Sequence, residues 1–486
     1  MMSHSPEPLS ETFYDAIIVG GGISGLTVAF GLSQTGARIR LLESAARVGG
    51  VIQSAREQGF QTEAGPNTFL KSADAIRGLA QTLGLTPCGA SSQAKNRYIY
   101  RHQRLLALPT SLGAFIKSPL LSLQGKARLL CEPAQPARRT GDDESVASLM
   151  RRRLGPEALA AVINPFLAGV YAGDPETLSA QAVFPKLAAW ERQYGGFVSG
   201  ALAARFSQKK PASPSAGRKG QDPSESALYS FEGGMEALPN ALAAALPAHA
   251  VLSGAAVIAL ESLRQPQAGY RLTLADGRSF DARSVILATP ADTAGRLLGG
   301  LLPAAPRDFL ASIPYASVSV AHLGVERAAI PHALDGFGCL IPRGEGVRTL
   351  GAIWASALFP NRAPQDYALL SAFIGGMCDP ELADWDDAML ANAALADISG
   401  VFHCPQPLRP VFQTMTRWRR AIPQAVVGHP ARVESLRHSL AALPGVFLAG
   451  NYLNGVSVND CVREAHRVAA QAQAFLQSHP AASAVL

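Results

Sequence analysis

One stretch near the start of the chain constrains the fold more than any other: "DAIIVGGGISGLTVAFGLSQTGARIRLLES". Residues 16–19 form a short apolar run, suited to a strand buried on both faces. Gly20-x-Gly22-x-x-Gly25 follows. The helix after it places Leu26, Phe30 and Ser33 on one side, and Gly36 stands where it should end. A second strand over residues 38–42 leads to Glu43, 18 residues past Gly25. Three spaced glycines alone say little. Strand, glycine turn, helix, strand and carboxylate in this order spell a dinucleotide site. Gly20 permits the tight turn, Gly22 lets backbone approach a pyrophosphate, and Gly25 lets the helix pack on the strand. The helix N-terminus turns its free N–H groups to the phosphates. Glu43 suits two ribose hydroxyls and argues against a 2′-phosphate, hence against NADP.

The rest of the chain bounds the setting. Its 486 residues allow about two or three domains. Apolar residues make up 48% and charged residues 16%, which supports a sizeable core and excludes global disorder. A net charge of +6 favours anionic surfaces or substrates without indicating nucleic acid. The six cysteines, at 88, 131, 339, 378, 404 and 461, show no CxxC spacing. They read as scattered reduced thiols of an intracellular protein, with no metal site. The N-terminal "MMSHSPEPLSET" has neither an apolar signal core nor an Arg-rich presequence. "ALAAALPAHAVLSGAAVIAL" comes nearest to a membrane span, but Pro247, His249 and Gly254 break it, so none is expected.

The residues after Glu43 choose the cofactor. "ESAARVGGVIQS" adds Arg47-x-Gly49-Gly50, which would embrace the far side of a larger dinucleotide. It resembles the extended fingerprint of flavin amine oxidases and their relatives. A second GxGxxG for nicotinamide is missing. The remaining flavin-binding segments should lie far apart. "YSFEGGMEALPNALAAAL" begins a helix after a glycine pair, and Asp276-Gly277 marks a hairpin between alternating runs. "SVILATP" is a buried strand stopped at Pro290, and "PGVFLAGNYLNGVSVNDCVREAHRVAAQAQAFL" reads as strand, glycine loop and helix.

"EAGPNTFLKS", "NRYIY", "FEGGMEALP", "DGFGCLIP", "TLGAIW", "FPNRAP" and "AGNYLNGVSVND" together make the chain resemble the oxygen-dependent protoporphyrinogen oxidases, from about residue 13 to 475. The resemblance implies an α/β (α+β) fold: a discontinuous Rossmann-like FAD domain of the p-hydroxybenzoate-hydroxylase type, a substrate domain with an antiparallel sheet, and a helical membrane-facing insert. The expected segments are 13–88, 228–300 and 431–486 for FAD, and 89–98 and 301–430 for substrate. The insert takes 99–205. A mobile loop at 206–227 is read from its Ser, Pro and Lys content. The implied activity is six-electron oxidation of protoporphyrinogen IX by molecular oxygen, giving protoporphyrin IX and hydrogen peroxide.

Residue by residue, the resemblance assigns Gly20, Gly21, Gly22, Ile23, Ser24 and Gly25 to the FAD pyrophosphate, and Glu43 and Ser44 to the adenosine ribose. Arg47, Gly50 and Val51 continue along the diphosphate. Gly65, Pro66, Asn67 and Thr68 pass close to the isoalloxazine, and Val257 turns its backbone to the adenine. Trp418, Asn451, Val456, Ser457 and Val458 complete the flavin site. For substrate, Leu340 and Ile353 would sandwich one pyrrole ring, Phe373 would stack on another, and Gly195 and Gly200 would form a small-residue wall. Arg97, in "KNRYIYRHQRLLALP", would pair with a propionate, as a guanidinium can hold both carboxylate oxygens. Arg101 and Arg104 read as solvated. No general-base constellation stands out. Catalysis is expected from positioning, with Asn67 the side chain that orients flavin and substrate.

The insert carries apolar helices with Lys117, Lys126, Arg128, Arg138 and Arg139 nearby. That pattern suits peripheral contact with an anionic membrane surface facing the cytoplasm, a soluble cytoplasmic protein being the second choice. Arg151, Arg152 and Arg153 read as a solvated helix face. A homodimer and hand-over of product to a metal chelatase are further expectations of the resemblance; a nucleic-acid partner is not. Two other activities stay open: a coproporphyrinogen III oxidase, less dependent on Arg97, and an amine oxidase with Tyr452 and Trp418 beside the flavin.

Overall fold

The structure, a computed structural model, describes residues 13–138, 141–207, 228–264 and 268–480. The N-terminal tail, Arg139 and residues 208–227 of the loop expected as mobile lie outside the described residues, while residues 206 and 207 end the helix Phe197–Ser207. Two seven-stranded sheets organise the chain. In the first, Phe13–Val19 lies between Ile39–Leu42 and Ser279–Leu287, parallel to both. Ile18 faces Leu41 on one side and Ile286 on the other. Ser279–Leu287 also pairs in parallel with Val446–Leu448 and antiparallel with Gly269–Leu274, across the Asp276-Gly277 hairpin. Three distant stretches of chain thus share one sheet.

The apolar run at its centre has a physical reason. Ala16 and Ile18 point into a core beneath Ile23–Ser33 and Val458–Ser478. Ile17 and Val19 point the other way, into a core closed by Ala291–Leu297, Ala304–Ser312 and His429–Leu440. Both faces are covered, so every position must be apolar.

The second sheet runs in the order Phe412–Pro423, Tyr315–Glu326, Tyr367–Gly375, Thr349–Trp354, Gly336–Leu340, Asn96–Arg101, Arg104–Ala107. All neighbours are antiparallel except Gly336–Leu340 with Asn96–Arg101. One face buries Tyr98, Cys339, Ala352, Trp354 and Ala372 against the helix Asp387–Val401. The hairpin Asn96–Arg101 to Arg104–Ala107 extends this sheet past the boundary expected at residue 98. His102 and Gln103 turn it with φ of 52° and 57°, the sense that matches strand twist in a two-residue turn. Glu345 holds the His102 N–H and His403 meets the Gln103 carbonyl, which offsets the strain of that backbone in residues other than glycine.

Helices from Leu112–Lys117 to Phe197–Ser207 form a third body with its own small core of Val146, Leu149, Met150, Leu167 and Phe197. Here the solvated arginine face expected at 151–153 is corrected. Arg153 is fully buried and ion-paired with Glu132. Arg152 spans Glu144 and Glu191, and only Arg151 pairs at the surface, with Glu176. Glu132 also accepts the Phe197 and Val198 N–H groups. Burial pushes its carboxyl up, but those N–H groups and Arg153 outweigh it and hold it below the usual range. The run of charge is an internal brace across four segments.

Candidate active site

Two glycine loops build the nucleotide cradle. A Cβ on Gly25 would sit 1.9 Å from the Gly20 carbonyl oxygen, so only glycine lets the helix Ile23–Ser33 leave the strand at that angle. Gly22 opens onto free space, with nothing within 4 Å of where its Cβ would be. The second loop lies on the first. The Gly49 N–H donates to the Gly21 carbonyl at 2.8 Å, and Gly50 approaches the Gly22 backbone. Glu43 is nearly buried. Its Oε2 accepts the Gly21 N–H at 2.6 Å and its Oε1 the Ala45 N–H at 2.7 Å. It braces the glycine loop and keeps lone pairs for ribose hydroxyls. Ser44 is exposed beside it. The Ala255 N–H donates to the Glu43 carbonyl, which brings Val257 alongside. A bare glycine groove with a carboxylate at its end fits a dinucleotide.

Arg47, expected along the diphosphate, is fixed within the second glycine loop. Its guanidinium donates to the Val48 and Gly50 carbonyls and meets Glu236 at 3.3 Å. It therefore shapes the second glycine loop and ties it to the 232–236 segment. At the C-terminal end, Ser457 caps Val458–Ser478 through the Asp460 N–H, and the Ser24 hydroxyl contacts the Cys461 thiol. The N-termini of Ile23–Ser33 and Val458–Ser478 therefore converge, with Asn451 opening the short helix Asn451–Asn454 and Val456 on the turn from it into Val458–Ser478. Two helix N-termini at one groove favour an anionic cofactor.

Residues 64–68 form a strap that leads from this cradle to the second sheet. Gly65 presses on the Val51 carbonyl, where a Cβ would stand 2.2 Å away. The Trp418 indole N–H donates to the Ala64 carbonyl at 2.7 Å, and the Asn67 amide donates to the Gly65 carbonyl at 3.0 Å. A cavity of about 270 Å³ opens beside the strap, walled by Arg47, Ser54, Thr62, Ala64, Thr414 and Thr416.

Strand register places the expected substrate residues together. Ile99, Leu340, Gly351, Phe373, Val320 and Thr416 are successive cross-strand neighbours. Ile353, Ser371, His322 and Thr414 form the adjacent row. Arg97 stands two residues before Ile99, so it shares this face. The face is the one turned away from the helix-covered core. Leu340, Ile353, Phe373 and Trp418 are half-buried on it and Arg97 is exposed at its edge. Gly338 and Gly351 stand opposite Ile353 and Leu340, where a Cβ would lie 2.1 Å from the Ala352 carbonyl oxygen and 2.5 Å from that of Cys339. Tyr98 and Tyr100 point the other way into the core, so the basic and aromatic residues of this strand separate onto opposite faces.

Across from Leu340 comes Gly169 of the helix Asn164–Tyr171. A Cβ there would lie 2.4 Å from Leu340 Cδ2. Sequence reasoning missed this glycine, because nothing local in "LAGVYAG" reports a through-space approach to residue 340. The glycines chosen instead have local reasons for being glycine. Gly195 ends the helix Pro185–Tyr194 with φ of +81°, and Gly200 lets Phe197–Ser207 cross against Trp190, 2.3 Å from where its Cβ would be. Arg101, read as solvated, is tucked in at 17% exposure. Its Nη1 is buried without a hydrogen bond and Glu157 stands 3.9 Å away. Tyr452 is buried in the core of the first sheet, so it and Trp418 do not make an aromatic cage. All six cysteines are free, and burial pushes the thiols of Cys339 and Cys461 up to about 12. Among the described residues, no group of three or more potential metal ligands occurs.

Residues 23–473 match the family described as flavin containing amine oxidoreductase. Among curated proteins, the chain is 32% identical to the chloroplastic protoporphyrinogen oxidase of Nicotiana tabacum, over 96% of this chain and 86% of that one. It is 29% identical to the coproporphyrinogen III oxidase of Bacillus subtilis (strain 168), over 95% and 98%. A solved structure from Exiguobacterium sp. 255-15 superposes with a TM-score of 0.79 at 24% identity, covering 96% of this chain and all of that one. The cyclohexylamine oxidase of Brevibacterium oxydans IH-35A gives 0.71 at 18%, over 96% and 100%. At these identities the structural likeness speaks for the fold alone.

Proposed function

The chain belongs to the flavin-containing amine oxidoreductase family and is an FAD-dependent oxidoreductase; from that premise we propose that it oxidises protoporphyrinogen IX to protoporphyrin IX with molecular oxygen, releasing hydrogen peroxide. One observation carries the substrate assignment. A half-buried apolar face with the exposed Arg97 at its edge adjoins the strap of residues 64–68. A large, mostly apolar macrocycle with propionates at one side matches that distribution.

In this reading the first sheet and its glycine loops are a Rossmann-like FAD domain of the p-hydroxybenzoate-hydroxylase type. FAD held there would supply the hydride acceptor and the redox link to dioxygen. The chain's residues do the rest. Arg97 holds a propionate through both oxygens and so fixes the macrocycle's orientation. Leu340, Ile353 and Phe373 lie against the pyrroles and exclude water, while Gly169 lets the helix Asn164–Tyr171 seat directly on Leu340 and so sets the position of that wall. Asn67, on the strap, orients the reacting carbon toward the flavin. Barrier lowering comes from holding reactants in near-attack geometry, which needs no side-chain base.

Coproporphyrinogen III is the second reading, favoured by the Bacillus relative that matches along 98% of its length. Competition between the two porphyrinogens, followed by porphyrin fluorescence and oxygen consumption, separates them. We expect protoporphyrinogen to win, and Arg97→Ala to raise its KM about tenfold with kcat little changed. Preference for coproporphyrinogen would move the assignment to the second reading.

The proposal extends to the surroundings. Leu112, Ile116, Leu123, Leu130 and Phe206 of the helical body are each at least 61% exposed. No helix among the described residues is long and apolar enough to cross a membrane. These residues support peripheral attachment to an anionic, cytoplasm-facing membrane surface. The basic residues contribute less than expected. Lys126 donates to the Ile116 and Ser118 carbonyls, Arg128 to those of Arg152 and Arg153, and Arg138 pairs with Glu144. A homodimer and hand-over of product to a metal chelatase complete the proposal.

A further inference from the structure

Glu63 and Arg362 form a buried ion pair that the chemistry above does not use. Each side chain is 3% exposed, and Arg362 Nη1 meets Glu63 Oε1 at 2.5 Å. Glu63 also accepts the Ser54 hydroxyl at 2.6 Å and the Met235 N–H at 3.1 Å. Arg362 Nη2 donates to the Ser230 hydroxyl at 3.0 Å, and its guanidinium lies 5.3 Å from the Phe359 ring centre. Gly234 makes room: a Cβ there would meet Ser54 Oγ at 2.2 Å and Glu63 Oε1 at 2.6 Å. Three segments far apart in sequence, 54–63, 230–235 and 359–362, therefore close on one pair of charges.

The placement of the pair is what gives it meaning. Glu63 ends the strand Phe60–Glu63, and the strap of residues 64–68 starts at the next residue. Arg362 ends the short helix Pro360–Arg362, in the connection between Thr349–Trp354 and Tyr367–Gly375. Those two strands carry Ile353 and Phe373. A buried pair of this kind gains little stability over an apolar replacement, because desolvating two charges consumes most of their attraction. Its directional bonds do restrict the arrangement of the groups around it. We propose that Glu63 and Arg362 are positioning residues, which hold the flavin strap at a fixed offset from the two substrate strands. The substrate half of this inference rests on the porphyrinogen reading; the flavin half does not.

The test compares Arg362→Met with the double variant Glu63→Gln/Arg362→Met. The single variant strands a buried carboxylate and loses stability. The double variant removes both charges together and should fold with a full complement of FAD. Its flavin should show altered visible circular dichroism and a shifted midpoint potential. Anaerobic reduction by saturating protoporphyrinogen should be about 10- to 100-fold slower, with KM little changed. Wild-type dichroism, potential and reduction rate in the double variant would overturn the proposal. Loss of FAD from the double variant would overturn it too, since the pair would then hold the fold and not the strap's offset. If wild-type protein ignores protoporphyrinogen, the porphyrinogen reading fails, while dichroism and potential still decide the flavin half.

Discussion

His322 stands on the same face of the second sheet as Ile353 at 1% exposure, its Nδ1 2.9 Å from the Ser371 hydroxyl and its Nε2 without a partner. Burial lowers its pKa to about 4. An unfolded histidine binds its proton near pH 6.5. Between pH 6.5 and 4 the unfolded chain therefore holds a proton that the native protein refuses. Stability is fully present above pH 6.5 and falls as pH drops toward 4, by on the order of 3 kcal/mol from this residue. Urea midpoints for wild type and His322→Gln should converge as pH falls through that window; parallel curves would remove His322 from the account. The nucleotide half of the site was legible at this scale, because Gly20, Gly22, Gly25 and Glu43 answer to local backbone demands that a single sequence displays. Glu63 and Arg362 were not, although both stand in motifs that carried the family resemblance. Their pairing spans 299 residues, and nothing within either motif announces it.

Elements show the same division between local and long-range causes. The strand, glycine turn and helix of residues 13–33 follow from periodicity and turn chemistry, as does the Asp276-Gly277 hairpin. The arginine run in Val146–Leu154 was misread because Glu132, Glu144 and Glu191 arrive from other segments. Gly200, expected on a cavity wall, meets Trp190 at a helix crossing that no local pattern displays. This gives a contrast to measure. Gly169→Val should push Leu340 off its seat against the helix Asn164–Tyr171 and distort the apolar face, lowering kcat/KM by about tenfold or more with FAD retained. Gly200→Val should cost stability through overpacking against Trp190, by about 1–3 kcal/mol, with kcat/KM of the folded fraction near wild type. Thermal melts and steady-state kinetics on both variants check this; an exchange of the two phenotypes would reverse the assignment of the two glycines.

At the level of the whole molecule, the discontinuous layout was readable, since each separated segment ends in a glycine loop or a buried strand with a function at the first sheet. The helical body was harder to place, as its charges turned inward while Leu123 and Phe206 stayed 83% exposed. If that surface meets lipid, wild-type protein should float with vesicles containing anionic lipid, and Ile116→Glu/Leu123→Glu should remain in the soluble fraction with FAD intact; equal flotation of the two would relocate the contact. The central claim is that FAD in the glycine cradle and a porphyrinogen on the Arg97 face react directly. Its most direct test is anaerobic mixing of the purified yellow protein with protoporphyrinogen IX in a stopped-flow instrument. Flavin absorbance should bleach in step with substrate oxidation, and porphyrin fluorescence and hydrogen peroxide should appear once oxygen is admitted. A flavin that stays oxidised, under conditions where the porphyrinogen is intact and FAD is fully bound, would contradict it.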